Sequence, residues 1–124
     1  MHAVIEIPTF LRNCSDAGMS DDERQAIIDA IAADPHKGDL IPGTGGARKR
    51  RFPGRGKGSS GGYRTVSYYA GDDVPVLILA LIDKGERADL PKAEQNALRA
   101  RLSSFAGTYR AGAMQRVRQS RRRP

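Results

Sequence analysis

The sequence predicts an α+β fold: a small antiparallel sheet with helices packed on one face and another helix after it. Three observations carry this. Stretches 47–52, 63–69 and 74–82 read as strands and follow one another across short turns, which makes an antiparallel meander. Helical spacing of apolar residues precedes the meander, around residues 9–33, and returns after it, around 91–104. A short branched stretch near the N-terminus supplies one more strand.

The elements follow in order. "HAVIEI" alternates weakly and is rich in branched residues, so 3–7 is a first strand. Pro8 suits the first turn of a helix, where a missing N–H costs nothing, and Gly18 stops that helix after about residue 16. "SDDE" at 20–23 is a capping box: Ser20 caps the next helix and Glu23 reaches back to it. Asp21, Asp22 and Glu23 sit where the helix dipole favours negative charge. Ile27, Ala30 and Ile31 share one face of this helix, which runs to about Ala33 before Pro35. "GDLIPGTGG" at 38–46 is a loop. "ARKRRF" at 47–52 is a strand, "PGRGKGSSGG" at 53–62 a turn, and "YRTVSYY" at 63–69 the next strand. Asp72 and Asp73 mark a turn. "VPVLILALI" at 74–82 is nearly all apolar, as a central buried strand requires, with Pro75 confined to its start. Pro91 sits near the first turn of the last helix, where Ala93, Ala97, Leu98, Arg101 and Leu102 recur at helical spacing. Residues 1–104 thus form one domain. Residues 105–124 form a basic extension, with a short helix expected at 111–119 and disorder at "SRRRP".

Composition narrows the function. No apolar run approaches about 18 residues, so no membrane-spanning helix is expected. No basic region followed by an apolar stretch opens the chain, so no secretory signal is expected. Cys14 is the only cysteine, which excludes an intrachain disulfide and fits a reducing cytoplasm. One Cys and two distant His do not make a zinc site, and neither a metal nor another cofactor is expected. The net charge of +7 is unevenly spread. Residues 1–46 hold three basic and eight acidic side chains, and residues 47–70 hold seven and none. Residues 71–104 hold five and six, and residues 105–124 hold six and none. Two basic blocks on one chain are the footprint of a polyanion partner, nucleic acid first among them.

The first block carries the candidate site. Gly56, Gly58 and Gly61 spell a dinucleotide-type glycine pattern, but that pattern needs a strand before it and a helix after it, and here a strand follows. Nor is this a P-loop, since Gly58 follows Lys57 where Ser or Thr is needed. The glycines read either as an ordinary hairpin connection or as a loop whose N–H groups, with Lys57, approach a phosphate chain. Arg48, Lys49, Arg50 and Arg51 alternate along their strand, with Lys49 and Arg51 on one face and Arg48 and Arg50 on the other. A charge run is often only a solvated face. No acid between residues 40 and 71 offsets this one, however, so a polyanion would relieve its repulsion. Tyr63, Tyr68 and Tyr69 lie among the cations, as base stacking would need; Tyr69 reads instead as core. Lys84 ends the apolar strand, either as a simple exit to solvent or at a point where strand ends converge.

"GTGGARKRRF", then "GRGKGSSGGYR", a strand, and "LIDKGERADLPKAEQNAL" together resemble the HigB-like branch of the RelE/ParE toxin superfamily, over about residues 38–102. The resemblance implies a RelE-like microbial RNase fold and mRNA cleavage, usually on the ribosome. It also implies neutralisation by a cognate antitoxin with a helix-turn-helix domain. The matching positions are Arg48, Lys49, Arg51, Lys57, Ser60, Arg64 and Lys84. Arg50 departs from a usual apolar residue, Ser59 from a common Lys, and Pro91 from a frequent capping Thr. The family commonly ends near residue 105, so the basic extension is additional.

RNA carries its own nucleophile, the 2′-OH. The protein must align it, move protons and neutralise the phosphate. The expected roles are proton transfer by Lys57 or Lys84, phosphate binding by Arg64 with Arg48 or Arg51, and base stacking by Tyr68. Lys49 and Ser60 are further expected RNA contacts. A lysine packed among cations has its pKa lowered and then serves as a base. His36 falls upstream of this block. Two other classes fit the composition: a non-catalytic RNA- or ribosome-binding protein, and an interaction protein for an acidic partner.

Overall fold

The computed structural model describes residues 2–53, 62–83 and 92–122, with side chains described except at 83, 94 and 113–122. The order is β1 (Val4–Glu6), α1 (Pro8–Asp16), α2 (Asp21–Ala33), β2 (Asp39–Leu40), β3 (Ala47–Phe52), β4 (Tyr63–Tyr68), β5 (Val76–Asp83) and α3 (Lys92–Arg122). The fold is α+β. Its five-stranded sheet has the order β1-β5-β4-β3-β2. Strands β3, β4 and β5 form the expected antiparallel meander.

Two features differ from the expected antiparallel sheet. Strand β1 lies parallel to β5, so the sheet is mixed. The two helices between β1 and the meander give the chain length enough to return in the same direction, which hairpin turns do not. The stretch expected to be all loop also supplies the edge strand β2, which pairs Asp39 with Lys49 and Leu40 with Arg48.

Local signals set the helix ends. Pro8 occupies the first turn of α1, and Gly18, at φ 71°, follows its end. The Ser20 side chain accepts a hydrogen bond from the Glu23 N–H at 3.2 Å, as a capping residue does. Arg24 pairs with Glu6 and ties α2 to β1.

The sheet is covered on both faces. On one, Phe10 and Cys14 of α1 and Ile27 and Ile31 of α2 pack on Tyr63, Val76, Ile78 and Leu81. On the other, Leu102 and Ala106 of α3 pack on Ala47, Val66, Tyr68 and Leu77. Burial on both sides is why β5 is apolar throughout rather than alternating. A bulge adjusts its phase: Val66 pairs with Ala80 and Ser67 with Ile78, leaving Leu79 extra. Leu79 and Ala80 therefore both join the α3 side, and Leu81 returns to the α1 side. Asn13 of α1 accepts a hydrogen bond from the Leu81 N–H at 3.1 Å. Cys14 is buried, and burial pushes its thiol pKa up, which suits a core residue rather than a nucleophile.

The last helix differs most from expectation. It runs for 31 residues, straight through the segment expected to be partly disordered. A helix already docked by Leu98, Leu102 and Phe105 needs no new nucleation to propagate. No helix among the described residues is long and apolar enough to cross a membrane.

Candidate nucleic-acid interface

The pairing register assigns the two faces of β3. Lys49 sits opposite Val66, which belongs to the core on the α3 side. Arg51 is two residues on and opposite Arg64. Lys49, Arg51 and Arg64 therefore share one face of the sheet.

Arg48 and Arg50 face the other way and are used structurally. The Arg50 guanidinium lies 4.8 Å from the centre of the Phe52 ring and donates to the Ala30 carbonyl of α2 at 3.2 Å. Arg48 donates to the His36 carbonyl at 2.8 Å, just beyond α2. The Ala30 carbonyl also accepts from the Asp34 N–H at 3.2 Å, so Arg50 is its second donor; carbonyls near a helix C-terminus carry partial negative charge, which favours cations there. Of the two arginines considered as a partner for Arg64 on a phosphate, Arg51 is the one on the Arg64 face.

A depression of about 620 Å³ opens at this end of the sheet, walled by Lys37, Gly38, Asp39, Lys49, Arg50, Arg51, Phe52, Pro53 and Arg64. Five of these residues are basic and one is acidic. Like charges placed directly across two strands are unfavourable, and Arg51 and Arg64 form such a pair. A phosphate group between them would turn that repulsion into charge-assisted hydrogen bonding.

Tyr68 does not reach this depression. It is only 6% exposed and forms part of the core beneath α3. Its expected role as a stacking platform is therefore corrected: a ring buried in a core offers no free face to a base. Gly46, at φ 130°, passes so close that a Cβ there would lie 3.2 Å from the Tyr68 ring. Beside it, the buried Thr44 hydroxyl donates to the Ile41 carbonyl at 2.7 Å and accepts from the Ala47 N–H at 3.1 Å. "GTGG" thus shapes a tight turn into β3, fitted against Tyr68.

The sequence reading missed a polar cluster at the opposite end of β4. Both histidines meet Tyr69 there edge-on, His36 at 4.6 Å and His2 at 5.2 Å between ring centres. The Tyr69 hydroxyl donates to Asp72, and His2 Nε2 lies 3.1 Å from the same carboxylate. That bond holds the phenol pKa above its ordinary value and, with His2, holds the Asp72 carboxyl below its own. Tyr69 is five residues from Arg64, about 17 Å along an extended strand, and neither histidine is among the described residues that wall the depression, although His36 directly precedes Lys37, which is. Residues 2, 36, 69 and 72 have no sequence spacing that announces such a cluster; only the fold brings them together.

Lys57, Ser60 and Lys84 lie outside the described residues. The described strand ends are informative nonetheless. Phe52 closes β3 opposite Tyr63, the first residue of β4, and Tyr63 pairs on its other side with Asp83, the last of β5. The chain leaves β3 and β5 at the end of the sheet where Arg51 and Arg64 sit. Among the described residues, no group of three His, Cys, Asp or Glu side chains is placed to hold a metal ion. No protein-family model matches the chain.

Proposed function

We propose that this protein is an RNA-cleaving toxin of the HigB-like branch of the RelE/ParE superfamily, acting on mRNA at the ribosome and restrained by a cognate antitoxin. The observation that carries the reading is the Arg51–Arg64 pair. The two residues are cross-strand partners, and both line a basic depression at the end of the sheet where β3, β4 and β5 meet. Arg51 and Arg64 grip the scissile phosphate and Lys49 neutralises its neighbour. Lys57 and Lys84 handle protons, one taking the 2′-OH proton and the other giving one to the departing 5′-oxygen. Ser60 contacts the backbone. The bonds made and broken are those of transesterification: the 2′-oxygen attacks phosphorus as the 5′-oxygen leaves.

A second reading rests on the described lining of the depression, which is basic and holds no histidine: a protein of the same fold that binds RNA or ribosomes without cutting. Expression from a tightly repressed promoter, with mRNA 5′ ends mapped as growth is followed, separates the two. The toxin reading expects arrest and new 5′ ends, both abolished by Arg64→Ala. Growth without new ends, from a protein that still binds RNA with a steep salt dependence, would sink the nuclease and leave the binding module.

A further inference from the structure

Helix α3 continues well past the part of it that packs on the sheet. Leu98, Leu102, Phe105 and Ala106 form its apolar contact. One turn later, Arg110 makes a two-pronged ion pair with Asp73, Nε to Oδ2 at 2.7 Å and Nη2 to Oδ1 at 3.1 Å. The same guanidinium donates to the Ala70 carbonyl at 3.2 Å. The turn is shaped to receive it: Gly71 has φ 155°, and a Cβ there would lie 3.2 Å from Arg110 Nη2 and 3.0 Å from Asp73 Oδ1. Arg110 is thus a fixed foot. The helix runs on for twelve residues, to Arg122, a further 18 Å or about that much.

That continuation, "AGAMQRVRQSRR", carries Arg116, Arg118, Arg121 and Arg122. No Asp or Glu occurs after Glu94, so none of these arginines has an acidic neighbour three or four residues away on its own helix. The helix dipole accounts for cations in the last turn, Arg121 and Arg122, but not for Arg116 and Arg118, which precede it. An amphipathic membrane-surface helix needs a broad apolar face, and Met114 and Val117 are the only large apolar residues here.

We infer that residues 111–122 form a helical basic arm that grips the phosphate backbone of structured RNA, as a second contact separate from the depression at Arg51 and Arg64. The arm rests on the proposed function only in naming RNA as the polyanion. Its recognition is of backbone charge rather than base sequence, and a pre-formed helix binds without the ordering cost that a disordered tail incurs.

The test uses full-length protein, an end-labelled RNA duplex of about 20 base pairs as probe, and binding measured from about 50 to 200 mM salt. Replacing Arg116, Arg118, Arg121 and Arg122 together by Gln should make the log–log salt slope shallower by about two to four units and weaken binding at least ~10-fold. Replacing the same four by Lys should keep both, because the contact is charge to phosphate. An unchanged slope in the Gln variant, or equal losses in both variants, would overturn the inference. Stronger retention on phosphatidylserine vesicles than on the duplex, abolished by the Gln substitutions, would reassign the arm to a membrane and overturn it too. The paired variant Arg51→Gln/Arg64→Gln keeps the two ideas apart. It should lose cleavage while keeping the part of the slope that depends on the arm. Undiminished cleavage by that variant would refute the proposed active site and leave the arm standing.

Discussion

Replacing Arg51 by glutamine should stabilise the protein while weakening its grip on RNA. Arg51 is exposed on β3 and directly opposite Arg64. Cross-strand partners have Cβ atoms about 5 Å apart, and a like-charged pair at that distance costs roughly 0.2–1 kcal/mol. Glutamine keeps much of the aliphatic stem and removes the charge. For a domain of this size, 1 kcal/mol corresponds to about 3–5 °C in melting temperature, so the expected gain is about 0.6–5 °C at low salt. Because the effect is electrostatic and exposed, it should vanish near 1 M salt, where the screening length is about 3 Å. The RNA salt slope of the same variant should become shallower by about one unit. Thermal melts at low and high salt, beside a binding titration, provide the assay. A loss of stability at low salt, or a gain undiminished at 1 M, would refute the reasoning that this pair is held together against its own repulsion.

Other expectations concern the frame around the site. Phe10, fully buried between α1 and the sheet, should cost about 3–5 kcal/mol on replacement by alanine, read as a lowered urea midpoint; a cost under about 1 kcal/mol would mean that the core there is loosely packed. Thr44→Val leaves the buried Ala47 N–H without its partner and should cost about 1–3 kcal/mol in the same measurement. Asp73→Asn tests the foot of α3. Arg110 holds the Asp73 carboxyl pKa below its ordinary value of about 3.9, so the pair's stabilisation is present above that pH and is lost as pH falls through the lower folded value. The Asn variant should therefore melt lower than the parent near pH 6, and the two curves should converge at strongly acid pH. A gap that stays constant down the whole series would show that the pair acts without its charge.

Much of the molecule was legible from neighbours along the chain. Ser20 caps because a hydroxyl three residues before an N–H reaches it, Pro8 opens a helix because its ring presets the backbone, and the alternation of Arg48 to Arg51 follows from the two-residue pleat. These are short-range facts, and sequence alone carries short-range geometry. It also determined that a basic, acid-free block flanks a hairpin. It did not determine which of its arginines could meet RNA. Alternation divides them into pairs, but the face that looks outward depends on register with β4 and on where α2 ends, contacts made by residues far apart in sequence. The same reason buried Tyr68 under α3 and set Tyr69 between two histidines. The basic extension teaches the converse: its composition reads as a loose tail, yet it follows a helix that packing has already nucleated, so the backbone propagates through it. Local patterns in the sequence marked most of the elements and their charge, though not β2 or the full length of α3. The tertiary structure decided which cations share a face, because that choice rests on long-range pairing that no local pattern contains.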